Sequence, residues 1–169
     1  MLIHIDGNGI SIDKKFLKDY SQELTQRMHA IEKEIYSILG YPININSTQQ
    51  LSKALFIDLA LTPPDPGNKT KSGHYSTSAS VLEEMRGQHA LVDLILEYRE
   101  LTKLVSTYLD ALPKQVNPHT NKIHTSFSQT GSVTGRLSSS NPNLQNIPTR
   151  TELGHQVRKG FIADAGQVL

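Results

Sequence analysis

The sequence predicts a mostly α-helical fold with a small antiparallel β portion, an α+β arrangement whose strands gather at the C-terminal end. Three observations carry this expectation. Apolar residues recur at spacings of three and four through two long stretches, 16–39 and 91–108, which is the pattern of a buried helix face. Proline- and glycine-rich segments without periodicity separate the apolar stretches and read as loops. Two-residue alternation appears only after the turn VNPHTNK, in Ile123-His124-Thr125-Ser126-Phe127, as a half-buried strand requires.

In the first helix, Leu17, Tyr20, Leu24, Met28, Ile31, Ile35 and Ile38 fall on one face. Asp13 or Ser11 can cap its start, and Gly40 with Pro42 ends it. The near-heptad spacing suits antiparallel packing against a second long helix, because the stretch is too short for the four heptads of a self-standing coiled coil. Ser47-x-x-Gln50 reads as a capping box opening a shorter helix through Leu51, Leu55 and Leu59, which ends before Pro63. LTPPDPGNKTKSGHYS is then a surface loop or hinge whose Lys69, Lys71, Ser72, His74 and Ser76 can reach phosphate.

Ser80-x-x-Glu83 reads as a second capping box, preceded by Ser76, Thr77 and Ser78. Free backbone N–H groups and hydroxyls at a helix start form an anion site. Gly87 and His89 interrupt the pattern, after which Leu91, Leu94, Ile95, Tyr98, Leu101, Val105 and Tyr108 continue a helix to Pro113. Arg99, Lys103 and Thr107 lie four apart on its other face and point the same way. Beyond the strand at 123–127, a further short strand is expected near Val133. Gly154 is read as a break, Lys159 to Ala163 as a strand, and Val168-Leu169 as the beginning of another.

Composition narrows the function classes. Of 169 residues, 37% are hydrophobic, and tryptophan and cysteine are absent, so the core is modest and no disulfide framework or thiolate metal site exists. A reducing, cytoplasmic location fits. No apolar run approaches the roughly 18 residues of a membrane span, and MLIHIDGN lacks the build of a secretory signal. The Asn-x-Thr triplets at Asn46 and Asn68 are therefore read as coincidence. The net charge of +1 conceals an asymmetry: residues 1–98 carry nine Lys/Arg against twelve Asp/Glu, residues 99–169 eight against four. A polyanion is expected to be held mainly by the second part.

The segment 134–148, TGRLSSSNPNLQNIP, is the most distinctive in the chain. One arginine, three asparagines and a glutamine stand among few apolar side chains, so it cannot be core; Leu137, Leu144 and Ile147 are its candidate anchors. Asn, Gln and Arg are side chains that reach base-edge acceptors, and the minor groove presents A·T and T·A pairs with the same N3 and O2 acceptors. Such a reader would hold any paired duplex almost regardless of sequence. A solvated Ser/Asn loop is the plain alternative.

TGRLSSSNPNLQNIP with Thr149-Arg150-Thr151 resembles the start of the palm in family A DNA polymerases, the bacterial polymerase I type. The resemblance extends upstream through STSASVLEEMR, YRELTK and HTSFSQT, and downstream into VRKGFIA. It implies a helical thumb over 1–115 and the N-terminal segment of a palm over 116–169, stopping before the first catalytic aspartate. It further implies that Arg136, Asn143, Gln145 and Asn146 sit at the minor groove of a primer-template duplex near its growing end. Arg150 would reach phosphate there, and Ser76, Thr77, Arg99 and Lys103 the backbone behind it. The implied partners are duplex primer-template DNA and the remainder of the polymerase chain, its fingers and the rest of its palm, with no membrane. The implied parent enzyme is a DNA-directed DNA polymerase of replication and repair that uses Mg²⁺, whereas this fragment alone is expected to bind no metal and to be inactive.

Independent chemistry is poorly supported. Two-metal nucleotidyl transfer needs carboxylates at one site, but after Arg99 the chain offers only Glu100, Asp110, Glu152 and Asp164, scattered along the sequence. Gly131 to Arg136 lacks the spacing and the Gly-Lys-Ser/Thr of a phosphate loop, the seven histidines lack metal-ligand spacing, and no G-x-S-x-G elbow exists. The rival readings are a free-standing nucleic-acid-binding module and an enzyme completed by another chain.

Overall fold

The computed structural model describes residues 7–67, 69–131, 134–149 and 151–163. The chain packs as two units, Thr25–Thr102 and the combination of Met1–Leu24 with Lys103–Leu169. The mostly helical, partly antiparallel β architecture expected from the sequence is what forms.

Helix α1 spans Lys14–Leu39. Asp13 caps it, its Oδ1 accepting the Phe16 N–H at 2.9 Å, and Gly40 ends it at φ +78°, where the absence of a Cβ removes the steric cost of a left-handed residue. Leu17, Tyr20, Leu24, Ile31 and Ile35 are buried along its length, as the spacing requires.

Within the unit Thr25–Thr102, α2 (Thr48–Lys53) runs directly into a π turn, Ala54–Asp58. Ser47 caps α2 through Oγ, which accepts from Gln50 N–H at 3.4 Å, but Gln50 does not complete a reciprocal box. Its Oε1 accepts from the Asn44 N–H instead, at 2.8 Å. Helix α3 (Ala79–Glu84) starts two residues before the expected box: its N-cap is Ser78, which makes no side-chain cap, and Ser80 Oγ pairs with Ser78 Oγ. Glu83 forms a two-pronged ion pair with Arg86, which satisfies its carboxylate better than a single backbone N–H would. Leu51, Leu55, Leu82, Met85, Leu91 and Ile95 are among the buried residues of this unit.

Helix α4 (Ala90–Leu104) is shorter than its periodicity predicts, because it widens into a π turn over Val105–Leu109 and then tightens into a 3₁₀ turn over Leu112–Gln115. Pro113 sits in the first turn of that 3₁₀ segment, where its missing N–H costs nothing.

In the unit formed by Met1–Leu24 and Lys103–Leu169, the strands make two small antiparallel ladders. β2 (Ser126–Ser128) pairs with β3 (Ser138–Ser140), in the register Ser126↔Ser140, Phe127↔Ser139 and Ser128↔Ser138. β1 (Ser11–Ile12) pairs with β4 (Phe161–Ile162), and Ile10 bridges to Ile123. The alternation at 123–127 is thus shared between one bridge and one strand, with Ile123 and Thr125 buried. The strands expected near Val133 and at 168–169 fall outside the described residues.

Two further expectations, both near the C-terminal end, are overturned. Gly154 does not break the chain: it lies inside α5 (Glu152–Arg158), capped by Thr151, whose Oγ1 accepts the Gly154 N–H at 3.2 Å. A side chain there would meet the Pro148 carbonyl at 2.5 Å, so this glycine serves close approach rather than a turn. Consequently only Phe161–Ile162 of the expected 159–163 strand is paired.

Candidate nucleic-acid interface

The polar segment at 134–148 is held by hydroxyl groups more than by apolar anchors. Leu137, expected as an anchor, is 40% exposed, while Ser139 is buried at 4% and Thr125 at 9%. Ser139 faces inward because β3 alternates, with exposed Ser140 on one side of it. Its Oγ lies 2.7 Å from Thr125 Oγ1 and accepts the Leu144 N–H at 3.2 Å. Thr125 Oγ1 also lies 2.7 Å from the Pro142 carbonyl.

From this clasp the chain turns outward. Asn141 adopts φ +53°, a left-handed conformation that asparagine tolerates better than most residues. Asn143 Oδ1 accepts the Gln145 N–H at 3.0 Å, an Asx turn that engages the oxygen of the carboxamide and leaves its two N–H donors available. The Asn146 carbonyl accepts the hydroxyl of buried Tyr108, which stands in the π turn that follows α4. Burial pushes the Tyr108 phenol above its ordinary pKa, so it stays a donor. Asn141, Asn143, Gln145 and Asn146 are all exposed.

These constraints bring three of the expected residues together. Lys103, Asn143 and Asn146 line one groove of about 640 Å³, alongside Thr107 and Gln115. Gln115 has no counterpart among the expected contacts; the sequence signal that could have found it is its place two residues past Pro113, beyond the apolar periodicity. Gln145 faces a different groove, with Leu144, Ile147 and Arg158. Arg136 is exposed and forms no ion pair among the described residues, and Arg150 lies outside them.

The remaining expected residues meet in the other unit. Ser76, Thr77 and Arg99 line a cavity of about 480 Å³ with Ser72, His74 and Asn46. Arg99 Nη1 donates to the Thr77 carbonyl at 2.5 Å, and burial pushes its guanidinium below its usual pKa without discharging it. Thr77 is buried at 2%, and its Oγ1 has no hydrogen-bond partner among the described residues. A guanidinium lining the same cavity as the hydroxyl-bearing Ser72, Ser76 and Ser78 favours an acceptor-rich group there. Asn46 was missed as a lining residue because its triplet reads first as a glycosylation signal.

Among the described residues no group of three His, Cys, Asp or Glu side chains could hold a metal ion. Asp110 accepts the Ser21 hydroxyl at 2.7 Å and Glu152 accepts from Gln156 at 3.0 Å, so each carboxylate has a local partner of its own. The described carboxylates therefore do not fit the Mg²⁺ site of a nucleotidyl transferase. Also among the described residues, no helix is long and apolar enough to cross a membrane.

The comparisons with known proteins agree with the resemblance in the sequence. A family model described as DNA polymerase family A matches residues 14–169. The chain is 49% identical over 169 residues to the thermostable DNA polymerase I of Thermus filiformis and 47% identical to that of Thermus aquaticus, covering all of this chain and 20% of each relative. It is 48% identical to the DNA polymerase I of Chloroflexus aurantiacus over 167 residues, 98% of this chain and 18% of that protein. Among solved structures it is similar to the POL domain of Pol1 from M. smegmatis in complex with DNA primer-template and dNTP. That likeness has a TM-score of 0.80 and 37% identity, and covers 95% of this chain and 28% of the other. The chain belongs to DNA polymerase family A, and it spans about a fifth of the length of the curated relatives it matches.

Proposed function

We propose that this chain is the part of a DNA-directed DNA polymerase that holds the primer-template duplex, with a thumb over residues 1–115 and the first segment of the palm over 116–169. The observation that carries the reading is the groove lined by Lys103, Asn143 and Asn146, which sets one cation beside two outward carboxamides. A phosphate and a base edge are the two acceptor types that such a set matches. Family membership and the likeness to a POL domain solved with primer-template and dNTP support the same partner.

In this reading Lys103 and Arg99, with Ser76 and Thr77, contact phosphates. Arg136, Asn143, Gln145 and Asn146 contact the minor groove near the primer end, and Arg150 contacts a phosphate beside it. The reaction of the whole enzyme needs divalent metal, taken here to be Mg²⁺, and the carboxylates that bind it are outside the described set. The test is a salt titration of duplex affinity in the polymerase carrying this segment. Lys103→Ala is expected to lower the log-log slope by about one, as loss of one phosphate contact does. Asn143→Ala is expected to weaken binding with the slope unchanged. Unchanged affinity and slope in both variants would refute the assignment of this groove to DNA.

A further inference from the structure

We infer that the buried hydroxyl pair Thr125–Ser139 is a positioning device for the carboxamides of the turn 141–146, acting on DNA only through them. The inference rests on the proposed reading of that turn as a duplex contact.

Either hydroxyl can donate to the other, and Thr125 Oγ1 also reaches the Ser140 carbonyl at 3.1 Å; one arrangement gives every group a partner at the shortest distances. Ser139 Oγ accepts the Leu144 N–H at 3.2 Å, so its own proton is free to go to Thr125 Oγ1 at 2.7 Å, and the Thr125 proton then goes to the Pro142 carbonyl at 2.7 Å. This relay ties both ends of a three-residue span, Pro142 to Leu144, to a strand and to the residue just before its partner strand. Asn143 is the middle residue of that span, and its carboxamide is set in turn by the Gln145 N–H. Both residues are more than nine-tenths buried, so water cannot readily replace either partner. Apolar anchoring cannot do this work, since Leu137 is 40% exposed and Leu144 and Ile147 are only half-buried. Buried hydroxyls cost desolvation unless paired, and here they are paired to the backbone of the exposed turn itself.

The two members are not equivalent. If Thr125 becomes valine, Ser139 Oγ can turn to the Pro142 carbonyl, which it already approaches at 3.2 Å. If Ser139 becomes alanine, the Leu144 N–H has no acceptor left. Ser139→Ala is therefore expected to be the more damaging substitution, Thr125→Val intermediate, and Thr125→Ser close to unchanged.

The experiment uses the complete polymerase that carries this segment, with primer extension measured on matched duplex well below each variant's melting temperature. Ser139→Ala is expected to lower kcat/KM about tenfold, in proportion to the lost contacts. Placed on an Asn143→Ala, Asn146→Ala background, the same substitution should add little further loss, because it acts through groups already removed. Thr125→Ser is expected to retain activity where Thr125→Val does not. If Asn143→Ala, Asn146→Ala is impaired but Ser139→Ala changes only the melting temperature, the positioning role is overturned while the reading of the turn survives. If the losses simply add, the pair acts elsewhere and the inference also fails. If the asparagine variant itself extends primers normally, the reading of the turn as a DNA contact fails and the positioning role falls with it.

Discussion

Individual side chains in and beneath the segment 134–148 divide into those that hold it and those that it presents. Ser139 and Thr125 are buried and hold; Arg136, Asn143, Gln145 and Asn146 are exposed and presented. An exposed guanidinium with no ion pair among the described residues keeps its full set of planar donors for a partner. If Arg136 hydrogen-bonds the terminal base pair, that contact is worth about 1 to 3 kcal/mol and a mispair displaces its acceptors. Arg136→Ala in the complete polymerase is then expected to narrow the ratio between extension of matched and mismatched primer ends. Lys103→Ala is expected to slow both ends alike, because a phosphate contact carries no base information. Equal slowing by Arg136→Ala, with the ratio intact, would reduce Arg136 to a phosphate or structural role.

Among the elements, α5 makes the sharpest test of local packing. Thr151 caps it, and Thr151→Ala should cost about 1 kcal/mol. Gly154 sits where a Cβ would press on the Pro148 backbone at 2.5 Å. Gly154→Ala is therefore expected to destabilise by about 1 to 3 kcal/mol, against the usual gain of alanine over glycine in a helix. Thermal melting of the two variants checks both; a stabilised Gly154→Ala would contradict the contact. The same helix shows what was legible in the sequence. The long helix α1, with its Asp13 cap and Gly40 end, followed from periodicity and from two residues whose roles are local. Helix α5 did not, because a glycine required by a tertiary contact reads in sequence as a break. Ser80 and Glu83 look like a capping box until Arg86 is seen to take the carboxylate. β3 is three serines, SSS, with no apolar alternation to mark it, and is a strand only because β2 pairs with it. At the site, the residue types of the turn were legible from composition and motif. The hydroxyl clasp beneath it was not, since the bonds from Thr125 reach residues 14 and 17 positions away.

For the whole molecule, a net charge of +1 gives no general attraction to a polyanion. The proposed affinity for duplex would have to come from where the charge lies: eight Lys/Arg against four Asp/Glu in residues 99–169, and the convergence of Lys103 with two asparagines in one groove. Arg99 adds a partly buried cation to the cavity that Ser76 and Thr77 also line. With only a few phosphate contacts, binding by this chain should be weak and steeply dependent on salt. The most direct measurement is fluorescence anisotropy of a labelled primer-template duplex titrated with the 169-residue chain at several salt concentrations. Neutralising about four phosphates gives a log-log slope near −3.6, so affinity is expected to fall about a hundredfold between roughly 50 and 200 mM salt. A flat salt response, or no binding at the lowest salt, would contradict the claim that this chain holds the duplex.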